Sequence, residues 1–160
     1  MARGASATGS EPVRCEAALE LLRLDPLAAH RAWSAARLAP DSPLGLALSA
    51  HEGTDTASTA ALRDLLLDQR APYQGRLLAA RGLAGPAAAR LSATLQMVAL
   101  EDPVQPVRAA ALDALVAGAP RDARRVCARA LRHVDPATRR RGLEGLERLV
   151  ALTPDDAVLH

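Results

Sequence analysis

One residue position recurs along the chain at an almost constant interval. Arg14, Gly45, Arg76, Arg108 and Arg139 are separated by 31, 31, 32 and 31 residues. Self-similarity at such a period marks repeat architectures, in which each unit is one supersecondary element. Three residues past each of these positions come Ala17, Leu48, Ala79, Ala111 and Gly142, small in four of five; seven past come Leu21, Glu52, Leu83, Leu115 and Leu146. A small residue near a helix crossing lets two backbones approach, and a leucine one turn on fills the space beside it. The second repeat is the poorest match.

A period near 31 accommodates two helices of about three turns and two short connections. Apolar residues recur three and four apart, as in Leu62, Leu65 and Leu66 or Leu91, Leu95 and Val98, so the helices have one face to bury. The spacing predicts first helices near 12–23, 44–51, 73–83, 104–117 and 137–150, and second helices near 27–38, 57–68, 87–100 and 121–132. Breakers lie between them: Asp25-Pro26, Ala39-Pro40, Gly53-Thr54, Ala71-Pro72, Gly85-Pro86, Asp102-Pro103, Gly118-Ala119-Pro120 and Asp135-Pro136. Alanine and leucine fill 64 positions while Ile, Asn, Lys and Phe are absent, which favours helix and argues against a sheet. No helix pair buries its apolar face alone, so neighbours must stack. The expected fold is all-α, a right-handed α-solenoid of about five helix pairs over residues 12–160, preceded by a disordered tail over 1–11. After Leu152 the stretch from Thr153 to His160 is a stub where a fifth second helix is expected, either a short cap or the mark of a chain that was once part of a longer array.

Asp102-Pro103 followed by Pro106-Val107-Arg108 and a helix of small residues resembles the HEAT-repeat family, in particular the short bacterial, PBS-lyase-type form that opens with D-P-x-x-x-V-R. Pro12-Val13-Arg14 is a partial copy. The resemblance covers 12 to about 150, strongest in the fourth repeat and weakest in the second, where Gly45 replaces the arginine. Residues 26–48, with Trp33, Ala36, Pro40 and Leu44, are also similar to a tetratricopeptide pair. Resemblance to HEAT repeats implies scaffolding by protein contact across a concave surface lined by second helices. Some relatives are associated with bilin lyases and others with DNA base removal; neither activity follows from repeats alone.

The sharpest local feature is a group of arginines. Arg121, Arg125, Arg129 and Arg132 are spaced four, four and three, a stripe along one helix. Arg124 flanks it, and Arg139, Arg140 and Arg141 open the next helix. From 121 to 148 nine arginines face four acidic residues, although the chain's net charge is only +2. On a second helix such a stripe suits an acidic protein partner, or a phosphate backbone as the alternative. It also fits a solvated face in a chain whose basic residues are all arginine, a bias that points to a GC-rich bacterial genome. The only aromatics, Trp33 and Tyr73, lie outside the cluster, which weakens a nucleic-acid reading because single-strand binding and base flipping use stacking platforms. Trp33, with Ala29 and Ala36 on its side of a helix, reads as core.

Catalytic and metal chemistry have no visible seat. His30, His51, His133 and His160 are scattered without H-x-x-x-H spacing, no G-x-S-x-G or phosphate loop is present, and Glu101-Asp102 and Asp155-Asp156 lie beside prolines at helix boundaries, where capping accounts for them. No cofactor is expected. Cys15 and Cys127, far apart in helical patterns, read as buried reduced thiols and suit a cytoplasmic protein. Residues 1–10 lack the apolar core of a secretory signal, and no apolar run approaches the about 20 residues of a membrane span. The expectation is a non-catalytic cytoplasmic adaptor.

Overall fold

The computed structural model describes Glu20, Leu21, Leu24, Asp25 and Ala28, then residues 56–152 continuously. Helices expected near 12–23, 27–38 and 44–51, the 1–11 tail, the tetratricopeptide-like stretch, Trp33, Cys15, three of the histidines and residues 153–160 fall mostly or wholly outside the described residues. At Asp25, Oδ1 accepts the Ala28 N–H at 2.9 Å, the capping role its place before Pro26 suggests.

Between residues 56 and 152 there are seven helices and no strand: α1 (Thr56–Leu67), α2 (Tyr73–Gly82), α3 (Pro86–Arg90), α4 (Ser92–Glu101), α5 (Gln105–Gly118), α6 (Pro120–Ala130) and α7 (Pro136–Leu152). Proline opens α3 and α6 and sits in the first turn of α5, where its missing N–H and fixed φ are tolerated. Asp135 caps α7, accepting the N–H groups of Ala137 and Thr138, each at 3.2 Å. None of these helices is long and apolar enough to cross a membrane.

The expected helix over 87–100 is interrupted. Leu91 adopts φ −108° and ψ 21°, which separates α3 from α4. Beside the break, the Ser92 hydroxyl donates to Asp122 of α6 at 2.6 Å and accepts from Gln96 at 3.3 Å. Continuity is partly kept, since the Leu95 N–H still reaches the Leu91 carbonyl at 3.0 Å.

Helices pack with near neighbours in the chain. The first helices α2, α5 and α7 touch in succession, α4 touches α6, and α5 contacts α2, α3, α4, α6 and α7. Leu62, Leu66, Leu78, Leu83, Leu95, Leu112, Leu115, Val107, Val116 and Val126 are fully enclosed between them. Small residues stand where the repeat places them. Ala79 and Ala111 are buried, and a Cβ added to Gly142 would lie 2.9 Å from both the Ala130 Cβ and the Cys127 carbonyl oxygen. One helix turn on, a Cβ on Gly145 would lie 2.6 Å from the Cys127 Sγ.

Candidate functional site

The repeated arginines hold equivalent backbone positions. Each of Arg76, Arg108 and Arg139 donates its N–H to the residue four before it, Pro72, Val104 and Asp135 respectively. Their side chains serve packing. Buried Arg76 pairs with buried Asp102 through Nη1, which also reaches Gln69 Oε1 at 3.3 Å. Buried Arg108 donates through Nη2 to Asp135 at 2.6 Å, through Nε to Thr138 Oγ1 at 3.0 Å and through Nη1 to the Asp102 carbonyl at 2.6 Å. Both clasps therefore join the first helix of one repeat to the Asp-Pro turn that opens the next. Arg139 departs from this pattern: it is exposed and donates only to the carbonyls of His133 and Val134, at 2.8 and 2.9 Å.

These clasps were the functional feature hardest to find in sequence. The signal was present in two separate series, arginines about 31 apart and Asp-Pro at 102 and 135, yet pairing one series with the other needs the fold. Asp102 also accepts the Val104 N–H at 2.9 Å, so its capping role holds alongside the ion pair. His133 spends both ring nitrogens on backbone: Nε2 donates to the Leu100 carbonyl at 3.0 Å and Nδ1 accepts the Asp135 N–H at 3.0 Å. Among the described residues no three His, Cys, Asp or Glu side chains converge as metal ligands. Cys127 is buried with a free thiol, whose pKa burial, with the Asp113 charge, pushes up to about 11, so it is protonated at neutral pH and a poor nucleophile.

The arginine stripe has a definite setting. α6 divides cleanly, with Ala123, Val126, Cys127 and Ala130 buried and Arg121, Arg124, Arg125 and Arg129 exposed; Arg132 follows on the exposed side of the turn. Arg125 pairs with Asp122, whose carboxyl is held below its ordinary value by the Ser92 hydroxyl first and by Arg125 second. Arg121, Arg124, Arg129 and Arg132 have no carboxylate partner among the described residues.

Arg140 and Arg141 are placed apart from this stripe. Arg140 pairs with Glu144 at 3.0 Å; Arg141 pairs with Glu144 at 2.8 Å and with Asp113 of α5, which also takes Arg148 at 2.8 Å. Hydrogen bonds from Arg141 and then Arg140 lower the Glu144 pKa. A shallow depression between α5 and α7, lined by Gln105, Ala109, Ala137, Arg140, Arg141 and Glu144, is filled at its polar side by this network. The basic cluster is thus two surfaces: a row on α6 in which only Arg125 has a carboxylate partner among the described residues, and a neutralised group, Arg140 and Arg141, binding α7 to α5.

No protein-family model, no curated protein and no solved structure matches this chain.

Proposed function

We propose that the chain is a HEAT-like, right-handed α-solenoid of about five helix pairs that serves as a non-catalytic adaptor, holding an acidic protein segment along α6. The observation that carries this reading is the set of four arginines, Arg121, Arg124, Arg129 and Arg132, without carboxylate partners among the described residues, along the exposed side of a helix whose other side is anchored in the core. Like charges three and four residues apart repel by a few tenths of a kcal/mol each, about 0.2–0.5. A complementary acidic surface removes that repulsion and gains charge-assisted hydrogen bonds from the planar guanidinium forks. The arginine–aspartate clasps between successive repeats support the solenoid, because the same device recurs at two junctions. The buried reduced thiol of Cys127 supports a reducing compartment, hence a cytoplasmic bacterial protein.

The test is fluorescence anisotropy of a labelled glutamate-rich peptide against the full chain and a variant with Arg121, Arg124, Arg129 and Arg132 all changed to Ser. The expected result is binding that weakens about tenfold or more in the variant and with added salt. Equal affinity for both proteins sinks the reading. Tighter binding of a short DNA duplex, with a steep salt slope lost in the variant, replaces it with the nucleic-acid alternative.

A further inference from the structure

The α7 helix carries a second exposed stripe, independent of the α6 arginines. Arg139, Leu143 and Glu147 are four residues apart, all exposed, with Leu143 50% accessible. At 100° per residue the three fall within about 80° of arc, and Pro136 and Val150, the latter 67% accessible, lie within the same arc at either end. Arg139 has no carboxylate partner and Glu147 no basic one among the described residues. They stand about 12 Å apart along the axis, too far to pair with each other in one helix.

The corresponding stripe one repeat earlier is Arg108, Leu112 and Val116, and it is buried. Val116 faces α7 there, its Cγ2 3.4 Å from where a Gly145 Cβ would stand. In α7 the third position is Glu147, so stacking another repeat in the same way would bury a carboxylate where an apolar side chain belongs, which is unfavourable unless it is paired. The substitution that spoils this face for a further repeat makes it complementary to itself. Arg139 and Glu147 are equidistant from Leu143, and so, farther out, are Pro136 and Val150.

We propose that α7 is a self-association surface on which two copies of the chain pair their α7 helices antiparallel, about a two-fold axis through Leu143. Arg139 of each copy then meets Glu147 of the other, Leu143 meets Leu143, and Val150 lies over Pro136. The contact is isologous, so each favourable pair occurs twice. With one helix per copy the interface is small, and the dimer is weak.

Sedimentation velocity over a concentration series tests the arrangement by charge reversal. The wild-type chain dimerises as its concentration rises. R139E and E147R, each alone, place like charges together twice and weaken the dimer by about tenfold or more. An equimolar mixture of the two variants associates again, because every contact in the mixed dimer then joins opposite charges. Both substitutions lie on the surface, and an unchanged helical circular dichroism spectrum verifies that each variant is folded. Three results overturn the proposal: a wild-type chain that stays monomeric up to about 1 mM, a dimer indifferent to both substitutions, or a mixture no more associated than its components.

Discussion

Arg108 uses all three guanidinium nitrogens, on Asp135, Thr138 and the Asp102 carbonyl, so each nitrogen of this buried cation has a partner. Arg76 is less well served, since its Nε is buried without a partner. The Asp135 carboxyl answers for the first of these clasps. Hydrogen bonds from Thr138 and then Arg108 hold its pKa far below the ordinary value of 3.8. A carboxyl whose pKa is depressed by folding stabilises the protein above its unfolded value, and that contribution is lost as pH falls through the range beneath it. Thermal unfolding followed by circular dichroism is therefore expected to show stability dropping steeply below about pH 4. The D135N variant is less stable at neutral pH and shows a shallower acid slope; identical slopes would remove Asp135 from this role.

At the level of helices, α7 approaches α6 closely. An alanine at Gly145 would normally gain about 1 kcal/mol of helix propensity. Here its Cβ meets the Cys127 Sγ, so G145A is expected to lose about 1–3 kcal/mol through overpacking. Adding C127A empties that space and restores at least half of the loss, as a denaturant-melt double-mutant cycle would show. Much of this level was legible in the sequence. Spans expected near 57–68, 73–83, 104–117, 121–132 and 137–150 correspond to α1, α2, α5, α6 and α7, because proline and aspartate mark starts through local backbone chemistry. The small positions Ala79, Ala111 and Gly142 were legible too, since repetition alone exposes them. The break at Leu91 was not, since the apolar spacing of Leu91, Leu95 and Val98 runs through it without interruption. Nor could periodicity separate Arg121 from Arg141: both lie in one basic stretch, and only the fold brings Asp113 to the latter.

For the molecule as a whole, α5 is the hub among the described helices, touching α2, α3, α4, α6 and α7 and burying eight of its residues. Amides enclosed on all sides exchange only through large openings. Hydrogen exchange is expected to be slowest in α5, around Ala111 to Leu115, and faster by orders of magnitude in the exposed final turns of α7. Comparable rates in both would contradict a structure organised around α5. The clasp that joins α5 to its neighbours has a consequence for fidelity during folding. Because two successive junctions use the same arginine and aspartate chemistry, electrostatics alone would accept a chain that skipped a unit and seated Arg76 on Asp135. Packing distinguishes the two junctions. The surface around Cys127 and Ala130 admits the bare backbone of Gly142 and Gly145, whereas α5 carries Ala111 and Ala114 at the matching places, so α7 seated in place of α5 would leave the room of two methyl groups unfilled. The charges are common to both junctions, and the glycines are what sets them apart.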